Sequence, residues 1–110
     1  MKLLKVEDIS SIKEEVEKYE NDPLILSKIS AKLFTSITKG GEYLIHNTHK
    51  FKHKVFLAHG QQDKIISHDA TADFAKDSNL FTFKSYPNSK HEIHHNVDFE
   101  NLMRDMLGWM

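Results

Sequence analysis

Val55-Phe56-Leu57-Ala58-His59-Gly60-Gln61-Gln62-Asp63 is the stretch that decides how this chain folds. Four apolar residues in a row lie between the polar segment 46–54 and His59-Gly60, which reads as a short strand buried on both faces, as in a parallel sheet covered by helices. A second strand is predicted from Leu80 to Tyr86, where polarity alternates until Pro87-Asn88-Ser89 turns the chain. Between the two, Ser67 is placed to cap a helix reaching about Lys76, with Ala70 and Phe74 one turn apart. Strand, helix, strand is a βαβ unit, whose crossover makes the strands parallel neighbours that end at one edge of a sheet. The expected fold class is therefore α/β.

Upstream, Ser11 and Glu14 stand in capping-box spacing, and Ile9, Ile12, Val16 and Tyr19 share a helical face. A helix to about Glu20 is predicted, ended by Asn21-Asp22-Pro23. Ile29, Leu33, Phe34 and Ile37 mark a second helix, which Gly40-Gly41 either closes or weakens from within. Downstream, Phe99, Leu102, Met103, Met106, Leu107 and Met110 form an apolar stripe at helical spacing, with Asp98 as the candidate cap. That stripe is expected to pack on the sheet. There is no internal repeat.

At 110 residues, 39% hydrophobic and 28% charged, the chain has material for one core. Fifteen basic against sixteen acidic residues leave a formal charge of -1, so no broad cationic field exists to hold nucleic acid, and no such partner is expected. Met1-Lys2-Leu3-Leu4-Lys5 is too short and too charged for the apolar region of a signal peptide, and no stretch is long enough to span a bilayer. A cytoplasmic location is the default expectation. With no cysteine, disulfides, thiol catalysis and cysteine zinc sites are excluded.

Asp63 follows the first strand and His91 the second, so the parallel arrangement brings a carboxylate and an imidazole from 28 positions apart to the same sheet edge. A carboxylate that holds the Nδ1 proton of a histidine fixes its tautomer and leaves Nε2 free to take a proton from a hydroxyl. Two of the three roles of a hydrolytic triad are thereby filled.

The stretch 55–65, then Ser85-Tyr86-Pro87, then His91-Glu92-Ile93 and the closing Gly108-Trp109, resembles the C-terminal part of α/β-hydrolases of the monoacylglycerol lipase and lysophospholipase type. Tyr19-Glu20-Asn21-Asp22-Pro23-Leu24 and Ile29-Ser30-Ala31 resemble that family's stretch between the cap and the last strands. The resemblance implies residues 1–24 as the end of a cap region and 25–110 as the C-terminal part of the hydrolase core. It also implies a serine hydrolase of lipid esters, with Asp63 as acid, His91 as base, and neither cofactor nor metal. In that fold the nucleophile precedes both in sequence, which would place it upstream of Met1. Here the chain departs from the family: no G-x-S-x-G occurs, and the four glycines at 40, 41, 60 and 108 cannot disguise one. Asn96 stands where relatives often carry an acid, which bears on the support of His91.

The same residues admit other chemistry. His91-Glu92-Ile93-His94-His95 matches the zinc motif H-E-x-x-H, which requires a helix, yet Pro87-Asn88-Ser89-Lys90 precedes it and no His, Asp or Glu pattern typical of its third ligand follows. His46, His49 and His53 lie in a polar linker and are expected to be solvated. Without a nucleophile the pair cannot transfer an acyl group, so little or no esterase activity is expected of the polypeptide alone. A two-stranded parallel sheet is also a poor one by itself, and a homo-oligomer or association with the rest of the fold is expected. A non-catalytic remnant serving as a binding module is the alternative.

Overall fold

The computed structural model describes residues 4–110. Its sheet has two parallel strands, β1 (Val55–Gly60) and β2 (Phe81–Tyr86), in register from Val55 opposite Phe81 to Gly60 opposite Tyr86. The crossover is α3 (His68–Ala75), capped by Ser67, whose hydroxyl accepts from the Ala70 N–H. The βαβ unit expected from the sequence is the centre of the fold.

Alternation along the strands sends side chains to two layers. On one face Phe81 stacks on Phe74 of α3 at 5.1 Å and meets the edge of Phe51 at 5.2 Å. On the other lies α4 (Phe99–Trp109): Tyr86, Ile93 and Leu102 form the buried cluster, with Phe56, Ala58 and Met103 against it, and Tyr86 donates its hydroxyl to Asp105 at 2.8 Å. Burial and the neighbouring Asp105 carboxylate raise the Tyr86 pKa, so this phenol stays protonated and continues to donate.

Two expectations about packing need correction. Val55 to Ala58 are half-buried, because two strands leave each with an edge that no described strand covers. Of the C-terminal stripe, Leu102 and Met103 pack as expected, but Leu107 and Met110 are 72% and 83% exposed.

The N-terminal helices also differ in detail. α1 (Lys13–Asn21) begins two residues after Ser11 and has no side-chain cap, because the Ser11 hydroxyl is drawn off to the Asn88 carbonyl at 3.2 Å. A long-range partner outcompetes the local capping box. Ile9, placed by periodicity on the helix face, precedes the helix and is 2% exposed. α2 (Ala31–His46) is capped by Ser30 and runs straight through Gly40-Gly41, so the glycines are a weak point inside one helix. Its apolar residues face outward, with Ile37 57% and Ile45 58% exposed. No helix among the described residues is long and apolar enough to cross a membrane.

Candidate active site

The loops leaving β1 and β2 are locked together by their backbones. Gln61 N–H donates to the Tyr86 carbonyl at 2.9 Å and Gln62 N–H to the Ser89 carbonyl at 3.0 Å. Gly60 lies directly beneath the second loop: a Cβ there would fall on the carbonyl oxygens of Ser89 and Lys90. Only a glycine lets the backbones approach so closely.

Asp63 and His91 meet above this junction, with His91 Nδ1 donating to Asp63 Oδ2 at 3.0 Å. The other carboxylate oxygen accepts the N–H groups of Ile65 at 2.8 Å and Ile66 at 3.0 Å. Those two bonds seat the loop that follows Asp63, and Ile66 also lines the cavity beside the pair. The Asp63 side chain is 3% exposed and that of His91 38%, so the acid is sheltered and the base open to solvent. Burial by itself would raise the Asp63 pKa, but the Ile66 N–H, the His91 ring and the Ile65 N–H outweigh it and hold the carboxyl below its ordinary value. The acid is therefore ionised at neutral pH. His91 Nε2 has no hydrogen-bond partner among the described residues and is free to take a proton.

Three features were not legible as functional. His59, quoted only as the end of the strand, puts Nε2 3.0 Å from Asp63 Oδ2 while that nitrogen also faces the Ile66 carbonyl at 3.2 Å. Its Nδ1 lies 2.8 Å from Thr71 Oγ1 on α3, so a buried histidine spans the acid and the crossover helix. Ser89, fully buried, donates to Asp98 Oδ2 at 2.8 Å, and the same oxygen accepts the Asn88 N–H at 3.3 Å. Asp98 heads α4 but makes no side-chain cap there, because its carboxylate is spent on the loop that carries His91. Lastly, residues preceding α1 pair with that loop: the Ile9 carbonyl accepts the Glu92 N–H at 2.9 Å.

Asn96 gives no direct support to His91; its Oδ1 accepts the Ser11 and Val97 N–H groups instead. The zinc motif is not assembled as such. Ile93–His95 is a single 3-10 turn, His91 is taken by Asp63, and His95 Nδ1 lies 2.9 Å from Glu92. His46 closes α2, His49 sits in the following turn, and no metal-ligating cluster among the described residues includes either of them or His53.

A cavity of about 330 Å³ opens beside the pair, lined by Leu57, His59, Ile66, Thr71 and Ile93 among others. A separate apolar cavity of about 210 Å³, between Val6, Tyr19, Ile25 and Ile29, shares no residue with it.

A protein-family model described as "Serine aminopeptidase, S33" matches residues 1–98. Among solved structures, that of the monoacylglycerol lipase of Paleococcus ferrophilus superposes with a TM-score of 0.89 at 24% identity, over 96% of this chain and 42% of that one. The chain thus spans less than half the length of that lipase, and at this identity the likeness speaks for the fold. No curated protein matches the sequence.

Proposed function

The chain belongs to the α/β-hydrolase family of the S33 serine aminopeptidases, with the fold of the C-terminal part of such an enzyme, and we propose that it supplies the acid and the base of a serine hydrolase acting on lipid carboxylic esters. Asp63 orients and charges; His91 takes the proton from a serine hydroxyl and returns it to the leaving alcohol. One observation carries this assignment: two residues 28 positions apart meet at 3.0 Å through Nδ1, with Nε2 left open. The resemblance to monoacylglycerol lipases and lysophospholipases supports the lipid-ester class, and the apolar cavity at Tyr19 and Ile25 is in keeping with an acyl chain.

The serine of such a triad lies outside these 110 residues. No G-x-S-x-G occurs in the 110 residues, so in this reading Asp63 and His91 act only together with the segment of the fold that carries the nucleophile, and the 110 residues by themselves do not hydrolyse esters. The purified chain should hydrolyse a short-chain nitrophenyl ester no faster than its His91→Ala variant, and a fluorophosphonate probe should leave it unlabelled. Turnover that disappears in His91→Ala would show that the chain holds a nucleophile of its own and overturn the division of the triad.

A further inference from the structure

We propose that Glu92, His94 and His95, together with Glu15 of α1, form a site for one divalent transition-metal ion of the zinc type, separate from the Asp63–His91 pair. The donor atoms of Glu92, His94 and His95 all lie within 4.8 Å of one another. His95 Nδ1 is 2.9 Å from Glu92 Oε2 and 4.0 Å from Glu15 Oε2. Ligands about 2.0–2.2 Å from a tetrahedral zinc stand roughly 3.4 Å apart, so the observed spacings bracket what the ion requires.

The donor set argues for the class of ion. Two imidazoles select zinc, copper or nickel over magnesium and calcium, and two carboxylates match the ion's charge. One Glu15 oxygen already holds Lys18 at 3.1 Å, while the other faces His95, so Glu15 can bind without releasing the lysine. His94 and His95 are exposed, their rings 4.2 Å apart, which leaves the ion a path from solvent.

A second, independent observation comes from Asn96. It lines the same cavity as Glu15, His94 and His95 and is only 4% exposed, yet its Nδ2 has no hydrogen-bond partner among the described residues. Because Oδ1 is committed to two backbone N–H groups, flipping the amide would not give Nδ2 a partner. Nδ2 is sealed from solvent as it stands, so a small rotation of the Asn96 side chain toward the cavity would let a water or hydroxide on the ion serve as its acceptor. The site differs from H-E-x-x-H in using His94 and leaving out His91. Its consequence is structural: the ion would tie α1 to the turn that follows His91.

Calorimetric titration with zinc chloride at neutral pH tests the proposal. One ion per chain is expected at this site, with affinity at least about tenfold weaker in both His94→Ala and His95→Ala, and unchanged when His46, His49 and His53 are all replaced by alanine. Magnesium should not compete at millimolar concentration. Loss of binding in the triple variant, with His94→Ala and His95→Ala as tight as the parent, would overturn it. As a check that needs no variant, substoichiometric copper(II) should broaden the His94 and His95 ring protons of the parent chain before those of His46, His49 and His53. The reverse order would equally refute the site.

Discussion

Gly60→Ala tests how the two active-site loops are held. The added Cβ would lie 2.7 Å from the Ser89 carbonyl carbon and fall on two carbonyl oxygens. Two carbons prefer about 3.5–4.0 Å, so the loops must part by roughly 1 Å. All the atoms struck are backbone, and no rotamer change can relieve them. The parting pulls on the Gln62–Ser89 bond and lengthens the 3.0 Å His91–Asp63 contact beyond hydrogen-bond range. Overpacking of this kind costs about 1–3 kcal/mol, and the upper half of that range is expected because the backbone is fixed at both ends. Gly40, Gly41 and Gly108 are internal controls, since a Cβ at each meets nothing within 4 Å. Alanine at those helical sites should instead stabilise by about 0.5–1 kcal/mol each. Urea unfolding measures both effects, and the His91 Nδ1 proton resonance reports the pair. If Gly60→Ala unfolds at the parent's midpoint with that resonance unmoved, the close approach of the loops is not what positions His91.

Three further outcomes follow from the same contacts. His59→Ala should destabilise the chain by about 1–3 kcal/mol, and Thr71→Val by about 0.5–1.5, since the first removes the partner of Thr71 and of the Ile66 carbonyl and the second only one bond; equal effects in denaturant melts would argue against a bridge through His59. Ser89→Ala and Asp98→Ala should each cost about 1.5–3 kcal/mol, and the double variant clearly less than their sum, because they share the buried bond at 2.8 Å; additivity in the cycle would refute that coupling. The depressed pKa of Asp63 contributes stability that is complete above the ordinary carboxylate value near about pH 4 and is lost as pH falls through the lower folded value. Asp63→Asn should therefore flatten the acid limb of a stability-against-pH curve, and an unchanged limb would remove Asp63 from the acid response.

The elements that were legible are those whose signal is local. The apolar run 55–58, the Ser67 cap and the turn at Pro87 each act within a few residues, and β1, α3 and β2 follow from them. Asp63 and His91 were legible because parallel topology alone dictates where the strands end. What was hidden depends on distant partners. Ser11 has the chemistry of a cap and Asp98 the position of one, but Ser11 is spent on residue 88 and Asp98 on residues 88 and 89, which no local pattern reveals. His59 looked like the end of a strand because its partners, Thr71 and Ile66, become neighbours only once α3 has crossed over. A signal existed in the histidine followed by Gly60 and, three residues later, Asp63, a spacing that lets His59 reach the carboxylate of Asp63 across one turn.

One further piece of the α/β fold would answer both the exposed apolar surface and the lack of a G-x-S-x-G in these residues. The chain has a radius of gyration of 15.3 Å, against about 13 Å for a compact domain of its length. Both strands carry apolar side chains on two faces, yet none of Val55 to Ala58 is fully buried. α2 turns Leu33, Phe34, Ile37, Leu44 and Ile45 outward, a run of large apolar side chains of the kind that marks an interaction surface. Further parallel strands beside this sheet would cover its open edge and bury those side chains. In an α/β-hydrolase such a strand also ends in the sharp turn that lifts the serine to the edge where His91 Nε2 stands open. A single association would therefore complete the sheet, cover apolar surface and bring the base its proton donor. Gain of ester hydrolysis should accordingly coincide with protection of the β1 amides from hydrogen exchange. Protection without activity would place the partner on the sheet but the nucleophile elsewhere.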